Sequence, residues 1–131
     1  MHRLYKSDKT GRVIHEWWTR LHFPHFYFYD ILHGLRVLTR LGYARDERMR
    51  DAVELLLSKR RADGTWPLEA SFVDTPKRNL VKDSAIGKWS VVKGDKVTDV
   101  PRIYSSLGQV GDSNPWITLN ALRVLKGRET D

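Results

Sequence analysis

Ile31, Leu35, Leu38 and Leu41 recur at intervals of three and four, and Met49, Ala52, Val53, Leu56 and Leu57 do the same after one short connection. Such spacing gathers apolar side chains on one face of an α-helix, and that face has to be covered. The connection 42–46 is short, so two antiparallel helices are expected, over 27–41 and 47–60. Phe28 and Leu32 widen the first stripe, while His33, Arg36 and Arg40 fall opposite it. Gly42 suits a left-handed helix end. Asp46 suits the start of the second helix, with Glu47 adding favourable charge to its first turn. Gly34 lies on the apolar side and costs about 1 kcal/mol of helix propensity relative to Ala. A closely approaching backbone is the expected reason for it.

A third helix is expected over 114–127, with Asn114 as cap, Pro115 in the first position and Gly127 as terminator. Its apolar residues Trp116, Ile117, Leu119, Leu122, Val124 and Leu125 surround much of the cylinder, which implies burial on more than one side. Before the first helix, 13–21 can form a short helix carrying Trp17, Trp18 and Leu21, and Ser7 to Gly11 is rich in turn formers. The stretch 67–113 is polar and irregular. Within it, β-branched runs at 89–92 and 97–100 flank Lys93-Gly94-Asp95-Lys96 and suggest a small hairpin. The whole reads as an all-α single domain over 1–131: a helical hairpin in 21–66, an irregular or β-hairpin insert in 67–113, and a final helix in 114–127.

Composition excludes several functions. The 131 residues hold no cysteine, which removes disulfides, thiol nucleophiles, iron–sulfur clusters and cysteine-bound zinc. No apolar run approaches the ~20 residues that span a bilayer. The basic, polar start lacks the apolar stretch of a secretory leader, so a cytoplasmic location is expected. The formal net charge is +7, but in Arg45-Asp46-Glu47-Arg48-Met49-Arg50-Asp51 the signs are mixed, as on a solvated helix face. That mixing argues against nucleic acid as the main partner.

Two segments share a frame. Tyr29-Asp30-Ile31-Leu32-His33-Gly34-Leu35-Arg36-Val37-Leu38 aligns with Trp116-Ile117-Thr118-Leu119-Asn120-Ala121-Leu122-Arg123-Val124-Leu125. Each reads as an aromatic residue one step inside a helix start, followed by Leu-x-x-Leu-Arg-Val-Leu with a small residue before the second Leu. Repetition of this kind points to stacked helical hairpins. Between them, at the end of an amphipathic helix, stands Arg60-Arg61-Ala62-Asp63-Gly64-Thr65-Trp66. Gly64 permits the positive φ that leaves a helix, Asp63 can accept N–H groups in that turn, and Trp66 can cover the junction.

Residues 21–66 and 114–126 together resemble the α/α-toroid repeats of terpenoid cyclases and protein prenyltransferases, and bacterial proteins with prenyltransferase and squalene oxidase-type repeats. Asp63, Gly64 and Trp66 match the repeat signature, whereas Arg60 stands where that family has Gln. The resemblance implies a partial toroid, in which the Gln position ties one helix end to the next helix start. It implies little for activity. The Asp-x-Asp-Asp acid motif of hopene-type cyclases is absent, and so is the cysteine of the prenyltransferase zinc set. A closed toroid needs about a dozen helices, so three cannot enclose a substrate.

The residues with chemical potential concentrate early. His15, His22, His25 and His33 lie near Glu16 and Asp30. Imidazoles spaced as His22-x-x-His25 can share a metal, but separate hydrogen bonds at helix boundaries explain them better. The aromatic run 23–29 can line an apolar groove, with Phe26, Tyr29, Asp30, His33 and Trp116 as its expected wall, although core packing at a helix entry is the plainer reading. Asp30 reads as a first-turn acid complementing the helix dipole. No catalytic residue, metal or cofactor is expected. The leading expectation is a non-catalytic helical-repeat interaction or scaffold module, which self-associates or joins a partner subunit and can offer its groove to a lipid-like ligand. The alternatives are a fragment of a cyclase- or prenyltransferase-type enzyme acting with other subunits, and a basic nucleic-acid-binding helical domain.

Overall fold

The computed structural model describes residues 3–25, 29–70, 78–82, 89–93 and 108–129. It is mainly helical. A 3-10 turn covers Glu16–Thr19, helix α1 covers Ile31–Arg40, a 3-10 turn at Glu47–Met49 leads into α2 at Arg50–Ser58, and α3 covers Pro115–Glu129. Two strands, β1 at Arg78–Lys82 and β2 at Trp89–Lys93, pair antiparallel.

Helix α1 starts later than its stripe suggests, because Asp30 is its cap and not a first-turn acid. The Asp30 side chain accepts the His33 N–H while its own backbone is extended. Gly42 takes φ +89° and ends the turn beyond α1, as expected. Asp46 accepts the Arg48 N–H, as a capping residue should. The close approach at Gly34 comes from side chains and not from a backbone. A Cβ there would lie 2.9 Å from Leu4 Cδ2 and would overlap Tyr29, whose hydroxyl donates to the Leu4 carbonyl at 3.2 Å.

One core joins the three helices. Ile31, Leu32 and Leu35 of α1, Ala52, Val53 and Leu56 of α2, and Ile117, Ala121 and Val124 of α3 are all buried in it, with Met49, Leu21, Tyr5, Trp66 and Leu68. Helices α1 and α3 run parallel. Phe23, ahead of α1, stacks on Trp116 at the start of α3 with ring centroids 5.5 Å apart. At the other end a Cβ on Gly127 would lie 2.5 Å from Thr39 Cγ2, and the Arg128 guanidinium donates to the Ala44 carbonyl. Helix α2 runs opposite to both. Its end meets the start of α3 through Trp66, which donates Nε1–H to the Leu56 carbonyl at 2.7 Å and its backbone N–H to Thr118 Oγ1 at 3.0 Å.

Several expectations for the later half need correction. Gly127 does not terminate α3; it lies within the helix, where the absent side chain makes room for Thr39. Nor is α3 buried on more than one side. Ile117, Asn120, Ala121 and Val124 face the core, while Trp116, Leu119 and Leu122 are exposed, because among the described residues a neighbour packs on one side only. The aromatic residue of the shared frame sits at different depths: Tyr29 precedes the cap Asp30, whereas Trp116 follows the cap Asn114 by two residues. The hairpin expected about Lys93–Lys96 is replaced by another pairing, in which Leu80 faces Val91 and β1 precedes β2. Leu80-Val81 matches the apolar β-formers of 91–92. Residues 97–100 lie outside the described residues. The helix expected at 13–21 reduces to the four-residue 3-10 turn, capped by His15 Nδ1.

The margins of the insert are tied down. Segment 66–70 runs between 21–22 and 111–114. Leu21 O accepts from the Glu69 and Ala70 N–H groups at 2.9 and 3.1 Å, and Leu68 N–H donates to Asp112 O at 2.9 Å. Lys59 and Glu69 form an ion pair at 2.8 Å beneath this segment.

Candidate functional site

Asp30 organises the residues that precede α1. Its carboxylate has no solvent exposure. Oδ1 accepts the His33 N–H at 2.8 Å, and Oδ2 accepts the His22 N–H at 2.8 Å. The His25 Nε2 lies 2.8 Å from the same Oδ2, and the His22 Nδ1 lies 3.7 Å away. His22 and His25, on either side of the cis Phe23–Pro24 bond, thus both meet the residue that caps the helix. Burial by itself would raise the Asp30 pKa. The contacts from the His22 and His25 side chains and the His22 N–H outweigh it, and the carboxyl is held well below the usual range.

Aromatic rings surround the carboxylate. His25 lies 5.1 Å from the His33 ring, Tyr29 meets His33 edge-on at 6.3 Å, and Trp18 meets Tyr29 edge-on at 5.4 Å. Burial, and then the charge of Asp30, push the Tyr29 hydroxyl up to about 12. Burial, and then the His25 charge, push His33 below the ordinary imidazole value despite the opposing pull of Asp30. His33 is therefore neutral near pH 7.

Of the expected groove wall, Tyr29, Asp30 and His33 do come together. Phe26 lies outside the described residues. Trp116 belongs elsewhere, half exposed on α3 against Phe23. His22 and His25 converge on a carboxylate instead of an ion, and among the described residues no group of three or more His, Asp or Glu side chains is arranged to hold a metal. His15 caps the 3-10 turn and stacks on Trp18, apart from that carboxylate. Catalysis at Asp30 would require substrate to reach an atom without exposure. Among the described residues, no hydroxyl nucleophile hydrogen-bonds His25 or His33. The cluster is suited to locking the 22–25 turn onto α1.

The repeat-signature residues lie at the junction of α2 and α3. Gly64 has φ +84°, the left-handed turn expected of it. Asp63 Oδ1 accepts from the Thr65 N–H at 3.0 Å and the Thr65 hydroxyl at 2.6 Å, within the turn. Trp66 is fully buried. The Arg60 guanidinium lies over the Trp66 ring, 5.3 Å from its centroid. The tie from α2 to the next helix is made by neighbours. Arg61 donates to Ser113 Oγ at 3.0 Å and to the Gly111 carbonyl, and Thr65 Oγ1 is 2.6 Å from Ser113 Oγ.

Two surface features were not found by reading the sequence. One is the bare side of α3, where Trp116, Leu119 and Leu122 are 48%, 42% and 43% exposed. The other is a cleft between α1 and α3 lined by Arg36, Thr39, Arg40, Arg123 and Val124. Both depend on which side α3 turns inward, and helical periodicity alone does not say. Among the described residues no helix is long and apolar enough to cross a membrane. No family model, curated protein or solved structure matches the chain. The resemblance to the toroid repeats therefore rests on the quoted residues alone.

Proposed function

We propose that the protein is a non-catalytic helical-repeat interaction module, and that the exposed side of α3 is its docking face. The observation that carries this reading is a difference between equivalent positions. In the shared frame Leu32 and Leu35 of α1 correspond to Leu119 and Leu122 of α3. The first pair has 0% exposure, in one cluster with Met49, Ala52, Val53 and Leu56; the second pair is 42% and 43% exposed. Helix α3 thus presents the side that α1 covers with α2. Parallel α1 and α3 with an opposed α2 support reading the chain as a short arc of stacked helices, in which each helix hands an apolar side to the next.

A second copy is the occupant we infer, with α3 packing on α3 about a two-fold axis. Such an interface is self-complementary and needs no further surface. Trp116 has the character of an anchor, since aromatic residues dominate interface energetics. Sedimentation equilibrium at roughly 100 µM, enough to populate a complex worth more than about 5–6 kcal/mol, should show a dimer. L119K/L122K should be a folded monomer. A wild-type monomer at that concentration, or a dimer unaffected by the double substitution, would refute the proposal.

A further inference from the structure

We propose that the cleft between α1 and α3 is a binding site for a phosphate dianion, free or as a monoester, held by Arg36, Arg40 and Arg123. Arg36 and Arg40 are four residues apart and so share one side of α1. Arg123 comes from α3, and in the shared frame it is the counterpart of Arg36. The parallel packing brings these two arginines to one cleft, with Val124 buried beside them. The missing side chain at Gly127 draws the helices together at Thr39.

Among the described residues no carboxylate lies within ion-pair distance of these arginines. Helix α1 contains no acid, and α3 contains only Glu129, its last residue. Among the described residues none of the three arginines forms an ion pair. Elsewhere Lys6 pairs with Asp51 at 3.2 Å and Lys59 with Glu69 at 2.8 Å. Partial burial, and then the neighbouring charges of Arg40 and Arg123, push the Arg36 pKa down, with Asp30 opposing only in part. An anion in the cleft relieves that repulsion. Guanidinium groups suit this task, since their forked donors match the oxygens of phosphate in pairs.

Thr39 lines the cleft, but its hydroxyl oxygen is buried and out of reach of a bound anion, so the arginines alone hold it. The cleft measures about 80 Å³. At roughly 30 Å³ of liquid volume per water, that is room for a group of a few heavy atoms. It admits one tetrahedral oxyanion, and the remainder of any ester would lie outside.

The test titrates the full chain with sodium phosphate at pH 7.5, following backbone amide shifts by NMR at constant ionic strength set with chloride. The expected result is saturable one-site binding, with shifts centred on 36–40 and 123–127. R36Q/R123Q should weaken it at least tenfold, as for loss of two charge-assisted contacts. R12Q, on the exposed turn before the 3-10 segment, should bind as wild type does. Unchanged thermal midpoints would show that the variants are folded. No saturation, or equal affinity in R36Q/R123Q, would overturn the proposal. So would binding of an unphosphorylated oligothymidylate without binding of phosphate, which would mark the cleft as a general polyanion surface. Each of these outcomes is independent of whether α3 forms a dimer.

Discussion

Replacing Asp30 by Ala tests the physical basis of the turn–helix junction. The substitution removes the α1 cap, which costs about 1 kcal/mol. It also strips the acceptor from a second backbone N–H, that of His22. His22 is 1% exposed, so its N–H has no access to water, and leaving such a donor unpaired costs about 1–3 kcal/mol. His25 loses the carboxylate 2.8 Å from its Nε2, a further charge-assisted contact. The combined loss is about 3–5 kcal/mol, the range for breaking a buried charged pair. D30N separates the contributions. Asn can still cap α1 through one oxygen, but it turns an NH2 group toward the His22 N–H, so it should recover only the cap. Urea unfolding, with the slope unchanged and the midpoint lowered, measures both variants. Acid titration supplies the sign. The folded carboxyl titrates below its unfolded value of about 3.9. Its stabilisation is therefore complete above that pH and is lost as pH falls below it. The wild-type midpoint should drop on acidification below about pH 4, and D30N should lack that part of the drop. If D30A lies within about 1 kcal/mol of wild type, the carboxylate is not the organiser described here.

Other residues give independent checks. G127A should destabilise by about 1–3 kcal/mol despite the better helix propensity of Ala, because the new Cβ would meet Thr39 Cγ2 at 2.5 Å. T39S removes that methyl and should rescue G127A in a thermal double-mutant cycle; additive effects would contradict the packing. W66A should cost about 3–5 kcal/mol, and W66F less, since W66F keeps most of the plate and loses mainly the bond to Leu56 O. His33 is a base depressed by folding, so its contribution is complete above the unfolded value of about 6.5 and is lost as pH falls through the lower folded value. H33Q should flatten the urea midpoint against pH between pH 8 and 5 relative to wild type, and parallel curves would contradict the assignment.

How far the molecule was legible from its sequence depended on how local each feature is. The caps at Asp46 and Asn114 and the left-handed turns at Gly42 and Gly64 follow from a few neighbouring residues, and they stand where expected. Asp30 reads as a residue inside a helix that starts near 27, and not as its cap, because the aromatic residues before it prolong the apolar pattern beyond the helix. Gly127 carries the chemistry of a helix end, but its place is set by contact with Thr39, 88 residues earlier in the chain. The pairing of β1 with β2 is a choice among several β-prone runs, which composition does not decide. The histidines stand out as a cluster, yet their convergence on Asp30 is a tertiary contact that their spacing does not fix. The arginine cleft needed the parallel packing of α1 and α3, a relation between distant segments.

The chain has no cysteine, so a single L119C substitution gives a clean probe of the α3 surface. A two-fold contact between α3 helices places residue 119 of one copy near residue 119 of the other. Under mild oxidation at micromolar concentration, L119C should form a disulfide-linked dimer rapidly and nearly completely, while S58C, exposed at the end of α2, should stay monomeric. Equal and slow cross-linking at both positions would contradict the central claim that α3 carries the docking face.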